Sequence, residues 1–552
     1  MHADVVLTGG RVFGGLAADR PQPQAVAVRG GVIVAVGAPD AVAGLIGPGT
    51  DVVDTAGMLV VPGFHDTHVH PVQAGVELLQ CDLTGTADAA ECLDRVAAYA
   101  AAHPGERWIV GAGWSMEFFP GGTPTAAALD AVVADRPVVL SNRDHHGAWV
   151  NSRALELAGI TAATPDPPGG RIERDEHGAP TGTLHEGAVN LLDHVRPAVS
   201  ADLLRRGLLR AERELLALGI TGWQDALIGA GLGMPDAYDT YLSTPLTARV
   251  TGALWWDRDA GLAQLPALIE RRDRVAAEAH PARLRMDVVK IMVDGVAENF
   301  TAAISSPYLD GHGHPTSNRG ISFFPPADLA AYVTAIDAAG FAIHFHALGD
   351  RAVTEALDAV AAARAANGPA ASDGHRRAHQ LAHLQLVGEA DVPRFAELGA
   401  IANLQPLWAC HEPQLDELTL PFLEPRLIPR HYPFGDLMRA GARLAAGSDW
   451  PVSSPDPLAG IRVAVTRVEA DSDAPPLGPE QALDLATAFA AYTSGGAGAA
   501  GRGDSTGRIA EGFRADLAVI DGDPFAGPPE ALDGLHIDST WVDGLRVYDR
   551  QA

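Results

Sequence analysis

Pro62-Gly63-Phe64-His65-Asp66-Thr67-His68-Val69-His70 is the stretch on which the reading of this chain turns. Side chains two apart on a strand point to the same face, so His68 and His70 present two imidazoles to one side. Two imidazoles at that spacing suit one divalent cation, zinc above all. The preceding run Met58-Leu59-Val60-Val61 reads as a buried strand whose end carries the pair. A lone His-x-His also occurs in ordinary cores. The pair gains meaning only from what lies downstream.

Downstream, apolar strand-like runs alternate with helical segments. Gly219-Ile220-Thr221-Gly222-Trp223-Gln224-Asp225, Met286-Asp287-Val288-Val289-Lys290-Ile291-Met292-Val293, Phe341-Ala342-Ile343-His344-Phe345-His346 and Ala400-Ile401-Ala402-Asn403-Leu404-Gln405 read as buried parallel strands. Residues 326–339 and 351–366 read as helices between them. Such alternation predicts a parallel α/β fold, and a (β/α)8 barrel fits the span from about 204 to 499 once the His68 strand is added. A doubly wound sheet is the rival, but no Gly-rich dinucleotide loop follows an early strand.

The rest of the chain divides around that barrel. Residues 1–58 and 505–552 share a strand-rich character, which predicts one composite β-sandwich built by both ends. Residues 59–71 with 204–504 are assigned to the barrel. Residues 72–203 are too long for one βα connection and hold strands of their own (Trp108-Ile109-Val110, Val138-Val139-Leu140), so they are read as an inserted α+β domain.

Composition excludes several classes of function. A formal charge of −29 argues against nucleic acid or an anionic membrane as partner. At 47% hydrophobic residues a large core is available. Cys81, Cys92 and Cys410 are scattered and odd in number, as expected of reduced thiols in a cytoplasm. The start Met1-His2-Ala3-Asp4-Val5-Val6 has no signal-peptide character, and no apolar run reaches membrane-spanning length. The expectation is a cytoplasmic enzyme acting on a small molecule, assembled as a homodimer.

Four further polar positions interrupt or end apolar runs. Lys290 lies within Val288-Val289-Lys290-Ile291-Met292-Val293, where burial drives a lysine toward its neutral amine. A neutral amine captures carbon dioxide as a carbamate, an anion able to bridge two metal ions; the plainer role is a lysine that snorkels or pairs with a neighbour such as Asp294. His344 and His346 share one face of their strand, so spacing does not choose between them. His383 ends Leu381-Ala382-His383-Leu384. Asp449 follows Leu444-Ala445-Ala446-Gly447-Ser448, and a carboxylate at a strand end both binds metal and shuttles a proton. In a barrel these groups converge at the C-terminal ends of the strands.

His68-Val69-His70, Lys290, His346, His383 and Asp449 reproduce in order the metal-ligand set of the amidohydrolase superfamily, which this chain resembles over nearly its whole length. His346-Ala347-Leu348-Gly349-Asp350-Arg351-Ala352-Val353, Gly447-Ser448-Asp449-Trp450-Pro451-Val452, Trp149-Val150-Asn151-Ser152 and Pro180-Thr181-Gly182-Thr183-Leu184-His185-Glu186 are similar to the branch containing N-substituted formamide deformylases (amidohydrolase family 3). The segment 507–517 resembles that branch's return into its β-sandwich. Two departures stand out: His65-Asp66 where the branch usually has Ile-Asp, and Gln380-Leu381-Ala382 where Arg-Ile-Glu is common.

The resemblance implies hydrolysis of an amide or formamide-type carbon–nitrogen bond by a metal-activated hydroxide, with Asp449 as proton shuttle. It implies one or two divalent ions, zinc first, and a carbamylated Lys290 if there are two. His68 and His70 would then serve one ion, and His346 and His383 the other. His146, in the insertion, is the candidate to reach over the site toward substrate, and Trp408 the candidate for an apolar wall. The alternatives are a mononuclear deaminase or cyclic-amide hydrolase of the same superfamily, and a non-catalytic scaffold. The deaminase is disfavoured because Ala347-Leu348-Gly349-Asp350 offers no glutamate near His346, and the scaffold because every ligand is kept.

Overall fold

Gly63 is where the chain passes from one body of the fold to the next. In the computed structural model, which describes residues 2–231, 235–368 and 378–551, the strand Leu59–Pro62 does not run into the His68 strand. It pairs antiparallel with Leu517–Ile520 and parallel with Arg11–Val12. The sequence reading ran these residues into the barrel because one unbroken apolar run hides a change of sheet. Pro62 and Gly63 make that change. The Gly63 N–H donates to the Asp516 carbonyl at 2.8 Å, and a Cβ on Gly63 would lie 2.3 Å from the Thr221 side chain. Only glycine fits there.

Both chain ends build the sandwich. One sheet has the order Val32–Gly37, Ala25–Arg29, Val5–Thr8, Asp51–Asp54; the other runs Leu545–Asp549, Ile537–Val542, Leu517–Ile520, Leu59–Pro62, Arg11–Val12, Gln22–Pro23. Leu7, Val26, Ile33, Val60, Leu517 and Trp541 fill the space between them. Alternating apolar residues on both inner faces are what a sandwich core requires.

The barrel strands are β1 (Phe64–Val69), β2 (Ile220–Ile228), β3 (Arg249–Trp255), β4 (Leu284–Met292), β5 (Ala342–Ala347), β6 (Gln380–His383), β7 (Ile401–Leu404) and β8 (Arg443–Ala446). They form one parallel eight-stranded sheet in sequence order. β3 is a strand that the sequence reading does not single out. Between β8 and β1 side chains complete the ring. Asp66 accepts from the N–H of His68 (3.0 Å) and of Ser448 (3.1 Å) and from Ser448 Oγ (2.5 Å). A Cβ on Gly447 would come within 2.4 Å of the His68 nitrogen, so this approach also demands glycine.

The long segment after β1 forms its own mixed sheet, in the order Gly170–Arg174, Pro180–Glu186, Gly147–Val150, Val138–Asn142, Ile109–Trp114, Cys81–Asp82. Trp114, Leu129, Leu140 and Trp149 pack a separate small core beneath helix Ala89–Ala102. The helices bounding the segment, Pro71–Glu77 and Ala201–Ala217, lie directly against each other. The sandwich is tied to the barrel by Arg249 at the start of β3. Its buried guanidinium makes a two-point contact with Asp516 (2.5 and 2.9 Å) and a third with Asp543 (2.5 Å). Cys81, Cys92 and Cys410 are free and buried. Among the described residues no helix is long and apolar enough to cross a membrane.

Candidate metal centre

The C-terminal ends of β1, β4, β5, β6 and β8 bring the predicted residues together. His68 lies in β1 and His70 just beyond it; Lys290 is in β4, His346 in β5, His383 closes β6, and Asp449 follows β8. Register explains the convergence: Lys290 pairs with His344, Met292 with His346, and Ala347 with His383. Asp449 Oδ1 lies 3.3 Å from His68 Nε2 and 3.2 Å from His70 Nε2, and Asp449 Oδ2 is 3.8 Å from His383 Nδ1. The His383 ring is 4.6 Å from that of His68 and 4.5 Å from that of His346, centre to centre. One donor atom each from His68, His383 and Asp449 falls within 4.8 Å of the others.

The backbone is bent to place them. His383 has φ +75° and Asp449 φ +58°, both in the left-handed region. A β- or γ-polar residue held there stores strain, and such strain gathers at working sites. Both ring nitrogens of His383 are buried without a hydrogen-bond partner. A buried unpaired imidazole is costly. That vacancy of partners, beside a carboxylate and further imidazoles, fits a divalent metal.

The electrostatics agree with ligands kept ready. Burial holds the His68 imidazole down to about 3 and those of His346 and His383 well below the ordinary histidine value. They are neutral, as metal ligands must be. Burial alone would raise Asp449, but the contacts from His68 and His70 outweigh it and keep the carboxyl ionised. Burial brings the Lys290 ammonium down to about 8, against the opposing pull of Asp449 and Asp225. Asp294, the plainer partner weighed for Lys290, is committed elsewhere: it accepts from the backbone N–H of Ala303 (2.9 Å), Leu348 (3.1 Å) and Gly349 (2.9 Å).

His344 and His346 part company in the structure. His344 is fully buried, with Nε2 at 2.9 Å from His68 Nδ1 and Nδ1 at 2.8 Å from Gln224 Nε2 and 3.3 Å from Gln380 Oε1. Both its nitrogens are used beneath the centre. His346 instead turns toward His383 and toward Gly295, whose carbonyl lies 3.4 Å from its Nε2. Gln380 stood out in the sequence only as a departure from the branch, and Gln224 was invisible there as a site residue, because nothing local marks a glutamine that meets a histidine 120 positions away. The same holds for Asp66, whose carboxyl burial pushes up to about 7, and for Asp225, pushed up to about 6 and bonded to the Tyr241 hydroxyl at 2.6 Å.

From the insertion, His146 does reach the barrel mouth. Its ring centre is 6.2 Å from that of His346, and its Nδ1 lies 2.9 Å from Glu186 Oε2. Burial opposes protonation of His146, but Glu186 overrides it and raises the imidazole to about 9. Trp408 stacks flat on His383, ring centres 5.2 Å apart and planes 6° apart. It therefore walls the centre by covering a candidate ligand. Trp450 is buried beside Asp449, and its carbonyl accepts from the His70 N–H at 2.8 Å.

Known proteins share this arrangement of sequence and fold. The chain is 30% identical to N-substituted formamide deformylase of Arthrobacter pascens, over 96% of this chain and 95% of that one. It is equally 30% identical to protein LONG AFTER FAR-RED 3 of Arabidopsis thaliana, over 99% and 92% of the two chains. A metal-dependent hydrolase of Pyrococcus horikoshii has the same fold, with a TM-score of 0.72 at 23% identity, over 95% of this chain and 99% of that one. With residues 51–548 matching the model of the amidohydrolase family, this chain belongs to that family of hydrolytic enzymes, which act on carbon–nitrogen bonds other than peptide bonds.

Proposed function

We propose that this chain hydrolyses an amide or formamide-type carbon–nitrogen bond at a metal centre made by His68, His70, Lys290, His346, His383 and Asp449. The observation that carries this reading is the meeting of the Asp449 carboxylate with the imidazoles of His68 and His70 beside His383, whose two buried nitrogens have no partner. The formamide direction is supported by the 30% identity to the Arthrobacter deformylase.

Zinc is the ion this donor set suits, and when bound it lowers the pKa of water and polarises the substrate carbonyl. Asp449 Oδ1 is the base in this scheme: it takes the proton of the attacking water and hands it to the leaving nitrogen. His146, held by Glu186 over the mouth, orients the substrate from the insertion side. Trp408 shields the His383 face from water. Lys290 Nζ, in its neutral form, attacks carbon dioxide and releases a proton to give a carbamate. That anion would serve two ions jointly, one held by His68 and His70 and the other by His346 and His383.

Lys290→Ala tests the arrangement. It should lose most amide hydrolysis and at least one equivalent of metal, with part of both restored by high propionate filling the vacated space. Lys290→Arg should not be rescued, since its guanidinium fills the space and stays charged. Wild-type metal content and turnover in Lys290→Ala would remove the bridging role and favour a mononuclear centre.

A further inference from the structure

A cavity of about 690 Å³ opens between the inserted sheet and the barrel mouth. On the barrel side it starts at the strand ends that carry the centre. Trp255 is the register partner of Lys290, Met292 is that of His346, and both line it. Phe323 adds a second aromatic wall, and Val110 and Val139 face it from the inserted sheet.

Its floor is polar and adjoins the centre. Gln73 Nε2 lies 2.8 Å from His145 Nδ1, and His145 Nε2 is 3.6 Å from Glu77 Oε1. Gln73 also lines a recess of about 20 Å³ shared with His70 and Asp225. On another side Glu186, which lines the cavity, holds His146 against His346. A substrate whose carbonyl sits at the centre therefore has space for a large group on this side.

We propose that this cavity binds the larger substituent of the amide, and that it selects a bulky aromatic, uncharged or cationic group while rejecting an anionic one. The proposal rests on the amide-hydrolase reading and extends it to substrate class. The size is that of a pocket for a drug-sized group and far exceeds what a formyl or methyl group would fill. Aromatic walls at Trp255 and Phe323 reward a flat ring. The charges explain the rejection of anions. Among the described residues Glu186, Asp193, Asp257 and Asp259 line the cavity against two guanidiniums. Of these, Arg196 is paired with Asp193 at 2.7 Å, and Arg258 lies over the Phe323 ring at 4.7 Å. Burial also holds the Glu77 carboxyl up at about 8 and the His145 imidazole down at about 3, so the floor carries little charge at neutral pH.

The test uses the purified full-length holoenzyme and three probes: N-(naphthylmethyl)acetamide, N-methylacetamide, and the naphthyl compound bearing a ring carboxylate. Binding is read by calorimetry and turnover by amine release. The naphthyl amide should bind at least ten-fold tighter than either other probe. Val110→Trp and Val189→Trp, two independent ways to fill the cavity, should each weaken naphthyl binding at least ten-fold and lower the naphthyl-over-methyl ratio of kcat/KM in parallel. If the carboxylate probe binds as well as its neutral parent, the charge selection is wrong. If both filled variants fold and leave naphthyl binding and the ratio unchanged, the cavity is not the substituent site, although amide hydrolysis would stand. Tight naphthyl binding without any amine release would instead leave the cavity assignment in place and remove the amide-hydrolase reading.

Discussion

Lys290 gives the sharpest physical prediction, because stability and function should move in opposite directions. Its side chain is buried inside β4, and burial brings the ammonium from its ordinary 10.5 down to about 8. That depression corresponds to about 3 kcal/mol by which the charged form is less favourable folded than unfolded. The sign follows from linkage. Below about pH 8 the lysine is protonated in both states, so the metal-free fold carries the whole penalty. As pH rises from about 8 toward 10.5 the folded state sheds its proton first, and the penalty fades. Lys290→Met keeps the apolar stem and removes the charge. In chelator-treated protein at pH 7, urea unfolding followed by tryptophan fluorescence should show the variant more stable by about 3 kcal/mol. The gain should shrink above pH 8 and be gone near 10.5. Activity should be lost throughout. A Lys290→Met protein that is no more stable than wild type at pH 7, or whose advantage does not change with pH, would refute the picture of a strained buried ammonium.

Two further predictions concern what surrounds the centre. A histidine that binds a metal through Nε2 carries its proton on Nδ1, and the Nδ1 of His68 lies 2.9 Å from His344 Nε2. His344→Phe should therefore weaken metal binding by about 10- to 100-fold in a folded protein, measured by competition with a chromophoric chelator, and unchanged affinity would show that His344 only fills space. Deletion of residues 505–552 removes Leu517–Ile520, the partner of Leu59–Pro62, the strand just before β1, which begins at Phe64. The shortened chain should aggregate or lose its metal; if it stays folded with full metal content, the two ends do not depend on each other.

Much of this was readable in the sequence because it is local and periodic. The alternation His68-Val69-His70 sets two imidazoles on one face whatever the surroundings, and β4, β5 and β7 were legible as apolar runs bounded by breakers. The errors arose where local pattern is silent. Met58 to Val61 looks like the lead-in to β1, yet Leu59–Pro62 belongs to the sandwich, since only pairing with Leu517–Ile520 reveals the change of sheet at Gly63. β3, with Thr251 and Gly252 interrupting its apolar residues, gave too weak a signal. His344 and His346 are equivalent by spacing and differ only through Gln224, Gln380 and Gly295, which tertiary structure delivers. The His146–Glu186 pair and the cavity beside it depend on how the inserted sheet docks on the barrel, which no periodicity encodes.

The central claim is that metal held at the centre made by His68, His70, Lys290, His346, His383 and Asp449 is needed to hydrolyse an amide. It is tested most directly by measuring metal content by elemental analysis and amine release on the same samples, before chelation, after chelation, and during zinc titration. One to two equivalents per chain should be present in gently purified protein, as expected from the ligand count. Activity should vanish on chelation and return in proportion to zinc bound, saturating at the same stoichiometry. Full amide hydrolysis by a protein stripped of metal would contradict the account.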